Sequence, residues 1–391
     1  MKKIPVIGLI AILWIVFGSA PVLFSCPPMP TLDYFGAHPL SQLLGMDVLV
    51  TLLAGVTMLA LKADSGGDRA KVVRYFGFAL LAGLLTDIHY DMVDRFYVHW
   101  QINQFNDIFT HTCLPPDQYR FLSQGTLWWM TLITGDFQFS YMIFRFFFTF
   151  LLCQAIFRLA RSYLPPVHAV LVVFIYGGFY TLSTRYYFGN LLDPMSHLVM
   201  LTALYYCRQR QFWTFFWLFI LGVFIKETML LLAPCYYLMN LENARLRERQ
   251  NVQRMLLLGA VGLLVFFACR LPFHFNFDFK TLNRTPGSMI YANLGIGHPQ
   301  INSPVSIYMR YAHPFLFLFM WLPVLIWGRR RLPASLFWTG IYLALALYVV
   351  NTLFGWNYES RNFVPGLVVL LIGTMIVLTG WAAEKPAPTS L

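Results

Sequence analysis

The chain has 391 residues, of which 58% are hydrophobic and only 12% charged, where a soluble protein of this length carries roughly 25% charged residues. That balance excludes an ordinary soluble enzyme: apolar runs of about 20 residues recur from end to end, each long enough to cross about 30 Å of hydrocarbon. The formal net charge of +11 sits in short basic clusters between apolar segments. With no basic stripe, nucleic acid is excluded as a partner.

In chain order, "MKKIPVIGLIAILWIVFGSAPVLFSC" has the basic start and apolar stretch of a signal peptide. Phe24 and Ser25 are poor residues before a lipoprotein cleavage at Cys26, so an uncleaved first helix anchored by Lys2 and Lys3 is expected. Further membrane segments are expected at roughly 41–61, 74–90, 138–159, 166–183, 190–207, 212–225, 228–240, 255–272, 312–328, 333–353 and 364–382. Alternate loops are basic, as cytoplasmic loops are: Lys62, Arg69, Lys71 and Arg74, then Arg158 and Arg161, Arg208 and Arg210, Arg245 to Arg254, and Arg329 to Arg331. Twelve crossings place both termini in the cytoplasm. The two short segments around Lys226 are either two crossings or a re-entrant hairpin, so the expectation is an all-α polytopic membrane protein of about 10–12 transmembrane helices.

Two long loops, about 91–137 and 273–311, fall on the extracytoplasmic side, and long loops beside a bundle are usually functional. In the first, Leu122, Leu127, Trp128 and Leu132 predict a short helix lying in the interface. Residues 1–382 read as a single transmembrane domain and 383–391 as a disordered cytoplasmic tail. Of six cysteines, Cys153, Cys207, Cys235 and Cys269 lie in apolar segments as small core residues. Cys26 and Cys113 lie in outer loops, where a disulfide is permitted.

The charged residues on the outer side carry the chemistry. Asp87, Asp91 and Asp94 are spaced four and three apart, so a continuous α-helix would line them up on one face. Their repulsion calls for a divalent cation, held by oxygen ligands of Asp87 and Asp91, or for a general base taking a proton from an attacking hydroxyl or amine. Cations are depleted on the outer side of membrane proteins, yet Arg120, Arg145, Arg185, Lys226, Arg310 and Arg361 all fall there. Singly, local partners explain them: Glu227 for Lys226, Glu359 for Arg361 and a headgroup phosphate for Arg310. Together they fit an anionic ligand better, because charge near hydrocarbon must be matched and Arg clamps phosphate through two parallel hydrogen bonds. No histidine spacing suggests zinc, and there is neither a GxGxxG fingerprint nor a Walker lysine, so no nucleotide cofactor is expected.

"FGNLLDPMSHLVMLTALYYCRQRQFWTFFWLFILGVFIKETMLLLAP" resembles the middle of the polytopic glycosyltransferases with the GT-C fold. The order Asp193-Pro194, a basic turn at Arg208 to Arg210, Lys226-Glu227-Thr228 and Pro234 carries the likeness. "NYESRNFVPGLVVLL" is similar to the E-x-R-x-x-x-P approach to a late helix in that family, through Glu359, Arg361 and Pro365. The resemblance spans about residues 84–382 and implies hexosyl or pentosyl transfer from a polyprenyl-phosphate-linked sugar. The acceptor is a lipid, a glycan or a protein on the extracytoplasmic face, and the setting is a bacterial inner membrane. Asp87, Asp91 or Asp94 is then the acid/base or metal-holding group. Arg120, Arg185, Lys226, Glu227, Glu359 and Arg361 then bind substrate. Here a spaced ladder stands where the family has an adjacent acidic pair, and three expected helices precede it. A polytopic glycan polymerase or ligase, or a lipid-linked sugar flippase, is the competing reading.

Overall fold

In the computed structural model the described residues are 68–90, 94–110, 119–184, 193–241, 248–271, 304–354 and 360–380. The first two expected membrane segments, Cys26, Cys113, Asp91, Arg185, Glu359 and most of the second long loop lie outside them. Among the described residues the chain is all helical, with no strand. The principal helices are α1 (Asp68–His89), α2 (Arg95–Phe109), α3 (Phe121–Thr134), α4 (Phe137–Arg161), α5 (Pro166–Thr184), α6 (Asp193–Arg208) and α7 (Phe212–Ile225). There follow α8 (Leu232–Met239), α9 (Glu248–Ala268), α10 (Pro304–Phe317), α11 (Leu322–Trp327), α12 (Ala334–Phe354) and α13 (Val364–Thr379).

Five helical stretches are long and apolar enough to cross a membrane: Ala70–His89, Phe137–Arg161, Arg249–Ala268, Ala334–Phe354 and Arg361–Thr379. These match expected segments. Pro166–Tyr180 and Phe212–Ile225 are apolar but shorter. The expected total of 10–12 crossings is thus reached only in part among the described residues.

Local chemistry sets the breaks. α3 ends at Gly135, whose left-handed φ of 75° closes the helix through a bond from its N–H to the Thr131 carbonyl. One residue later Asp136 caps α4, its carboxylate accepting from the Phe139 N–H at 2.6 Å. α3 is the short loop helix read from Leu122 and Leu127, which are buried, while Trp129, Leu132 and Ile133 are exposed. α7 stops at Lys226, whose backbone is extended, and a 3-10 turn over Glu227–Leu231 leads into α8. Gly222 permits that reversal, since a Cβ there would lie 2.8 Å from Met229 Cγ.

The core is centred on α13, apolar all round, with Val364 to Val377 buried throughout, as a helix inside a bundle must be. α9 is its opposite: Leu256, Leu257, Leu263, Leu264 and Phe267 all face outward. A belt of exposed large apolar side chains is costly in water and neutral in lipid. The four described cysteines are buried and unpaired, as expected.

Helix sense sorts the charges into two ends. Arg74 lies over Phe157, Arg208 over Tyr163 and Arg254 over Phe212. Arg331 donates to the Val377 carbonyl in the last turn of α13. These arginines share one end, and the first turns of α6 and α13 share the other. The α7–α8 pair runs between them: the Phe212 and Phe215 rings pack against Tyr236 with centres 5.4 and 5.3 Å apart, one edge-on and one tilted.

Gly328 marks a close approach at the arginine end, where a Cβ would overlap the Val377 side chain. Gly328→Ala is expected to destabilise the bundle by about 1–3 kcal/mol through overpacking. Thermal unfolding of the purified protein in detergent reads it as a lowered midpoint.

Candidate functional site

The end away from the arginine clusters gathers a buried network of charged and polar groups. Asp193 opens α6 with 5% of its surface exposed, and Pro194 follows it, where a missing N–H costs the helix nothing. Its carboxylate takes two cations from distant parts of the chain. Lys226 Nζ, at the break after α7, lies 3.3 Å from Oδ1. Arg361 Nη1, from the 3-10 turn before α13, lies 2.8 Å from Oδ2. Lys226 also donates to Asn362 Oδ1 at 2.7 Å, and Asn362 donates to Asn351 Oδ1 at 2.8 Å. Two cations therefore share one carboxylate, out of contact with bulk water. One turn below Asp193, His197 is 3% exposed. Neither of its ring nitrogens makes a hydrogen bond among the described residues.

A second set lies beside the first. Asp94 Oδ2 and His89 Nδ1 are 3.0 Å apart, and Gln101 Nε2 donates to Asp94 Oδ1 at 2.7 Å. Burial works to raise the Asp94 carboxyl, but His89, Arg145 and Gln101 outweigh it and hold the group below the usual carboxylate range. Arg145, 2% exposed in α4, donates to the hydroxyls of Tyr180 at 2.6 Å and Tyr141 at 2.8 Å.

A third pair joins the first loop to the α7–α8 turn. Arg120 grips Glu227 in a fork, Nε to Oε2 at 3.0 Å and Nη2 to Oε1 at 2.7 Å. Arg270 lies 4.2 Å from the centre of the Tyr119 ring. Burial works to raise the Glu227 carboxyl, yet the Arg120 guanidinium holds it down at about 2. Because the folded value is depressed from 4.5, the pair stabilises the fold at higher pH and is lost as pH falls toward about 2. The stability difference between wild type and Glu227→Gln is thus expected to shrink as pH is lowered through that window. Thermal unfolding of both proteins across an acid series measures it.

Of the residues singled out from sequence, Arg120, Lys226, Glu227 and Arg361 are brought to this one end, and the expected pairing of Lys226 with Glu227 is replaced. Lys226 pairs with Asp193, not Glu227, and Glu227 pairs with Arg120. Side chains on adjacent residues of an extended-to-3-10 turn diverge, so the two neighbours reach different partners. Of the aspartate ladder, Asp91 lies outside the described residues. α1 ends at His89 and α2 starts at Arg95. Asp94 pairs with His89, five residues earlier in the chain. Asp87 is half-buried in the last turn of α1.

The reading from sequence did not single out His197, Gln101, Tyr141, Tyr180 or Asn362. Only the spacing of His197, four residues after Asp193, hinted at a shared face. No group of three or more metal-ligating side chains is assembled among the described residues.

No family model, curated protein or solved structure matches the chain. The site therefore speaks through its own chemistry. Arg361 and Lys226 supply buried, directed donors of the kind that an anion with several oxygens takes.

Proposed function

We propose that the protein is a membrane glycosyltransferase that moves a hexosyl or pentosyl group from a polyprenyl-phosphate-linked donor. The acceptor is a lipid, glycan or protein on the extracytoplasmic face of a bacterial inner membrane. One observation carries this reading: Lys226 and Arg361, from distant parts of the chain, converge on the single carboxylate of Asp193 at the end of the bundle away from the arginine clusters. By the positive-inside rule that end faces outward.

In the proposed reaction an acceptor hydroxyl oxygen bonds to the anomeric carbon. The bond from that carbon to the phosphate oxygen breaks, and polyprenyl phosphate leaves with the electron pair. Charge grows on the departing phosphate, and fixed cations in a dry site stabilise it far better than water does. Lys226 and Arg361 fill that role, with Asp193 orienting both and Arg120 held nearby by Glu227. The hydroxyl proton passes to a carboxylate of the first outer loop. Asp94 is engaged by His89 and Gln101; Asp87, Asp91 or Asp94 acts as the base, and Asp87 and Asp91 would hold a divalent cation. Arg185 and Glu359 complete the proposed substrate set by sequence position. Apolar surface between the helices accommodates the lipid tail.

The test is transfer from radiolabelled polyprenyl-phosphate sugars in membranes containing wild type or Arg361→Leu at equal protein level. Transfer by wild type that falls in the variant supports the reading. Failure of every donor with wild type, or equal transfer by both, overturns it and moves the polymerase, ligase and flippase alternatives ahead.

A further inference from the structure

At the arginine end of the bundle, Arg329, Arg330 and Arg331 follow one another in a single 3-10 turn between α11 and α12. Arg74, Arg208 and Arg254 at the same end are buried or half-buried against aromatic rings. The three arginines of the turn are instead all exposed, and no carboxylate pairs with any of them among the described residues. Three like charges on successive residues repel one another, so negative charge brought to the turn stabilises it. Two of the three are fixed in place. Arg331 donates to the Val377 carbonyl at 3.3 Å, and the Arg329 guanidinium lies 5.4 Å from the centre of the Phe337 ring and 5.6 Å from that of Trp338. These contacts leave most of the N–H groups free, since each guanidinium carries several donors around its edge. Beside this charge, Ile326, Trp327, Trp338 and Leu378 expose between 42% and 78% of their surface.

We infer that this turn binds the headgroup of an anionic phospholipid, with Arg329 and Arg330 on the phosphate and the acyl chains against Ile326, Trp327 and Leu378. A guanidinium meets a phosphate through two parallel hydrogen bonds, and three of them in one turn give the phosphate a choice of forks. Two features point to a lipid rather than a soluble anion. The apolar side chains next to the arginines are costly in water and neutral against acyl chains. Tryptophan pairs of this kind settle at the headgroup level, where their rings are apolar on one side and wet on the other. A zwitterionic headgroup would bring its own ammonium against the arginines, so the preference is for a lipid with net negative charge. By the positive-inside rule the turn lies in the cytoplasmic leaflet. It stands at the opposite end of the bundle from Asp193, and the inference does not rest on the transferase reading.

The full-length protein, purified in a mild detergent, is titrated with phosphatidylglycerol or phosphatidylcholine, and bound lipid is counted by native mass spectrometry. Wild type is expected to bind phosphatidylglycerol about thirtyfold more tightly, the effect of two arginines at a membrane surface. Replacing both Arg329→Gln and Arg330→Gln is expected to bring phosphatidylglycerol down to the level of phosphatidylcholine. Arg331 is kept, because its bond to the Val377 carbonyl ties the turn to α13. Arg330→Gln alone is expected to lose about fivefold; this exposed side chain supports nothing else in the fold, so the single variant serves if the double one does not fold. Arg158→Gln combined with Arg210→Gln, two exposed arginines elsewhere at the same end, is expected to bind like wild type. Equal affinity of wild type for both lipids, or unaltered phosphatidylglycerol binding in the folded variants, overturns the inference. So does displacement of the lipid by inorganic phosphate or a soluble glutamate peptide, or an equal loss in the Arg158 and Arg210 variant.

Discussion

Replacing Asp193 with alanine is expected to destabilise the protein by about 3–5 kcal/mol, the cost of leaving buried charge without its counter-ion. Lys226 and Arg361 both lie within 3.3 Å of this carboxylate, so its removal takes a charged partner from two cations at once. Lys226 retains Asn362, a neutral partner worth far less to an ammonium group. Asp193→Asn keeps the shape and an acceptor oxygen while removing the charge, and it is expected to fall between wild type and Asp193→Ala. Thermal and denaturant unfolding in detergent give the order. If Asp193→Ala unfolds like wild type, the three groups are not coupled as the geometry requires.

The second large effect is on transfer. Arg361→Leu is expected to lower the rate by about 10²–10³-fold, the range seen when one fixed donor to a developing oxyanion is removed. Arg361→Lys keeps the charge but loses the planar fork, so it is expected to recover part of the rate only. A purely structural role would give a different pattern: both variants would then lose protein level and stability in parallel, with transfer per folded molecule unchanged. Measuring initial rates against the amount of folded protein distinguishes the two.

Both predictions turn on contacts across 33 to 168 residues of sequence, and this is where reading the chain in one dimension stops. The helical class was legible, because apolar length and scarcity of charge determine it locally. So was the separation of the arginine clusters from the remaining charges, since alternating basic loops follow from the alternating direction of the helices. The loop helix at Phe121–Thr134 and the break at Lys226 were also legible, from Leu spacing in one case and an interrupting charge in the other.

Pairing was not. Lys226 and Glu227 are neighbours in sequence, and proximity suggested a pair, but the turn geometry sends one to Asp193 and the other to Arg120. The spacing of Asp87, Asp91 and Asp94 predicts one face only if the helix is regular. Asp94 pairs with His89, a contact that the spacing of the aspartates did not indicate. The sequence by itself determined which segments are apolar, helical and free of charge, because those properties are local. Only the tertiary structure decided which buried charge meets which, because helix packing sets the distances between residues far apart in the chain.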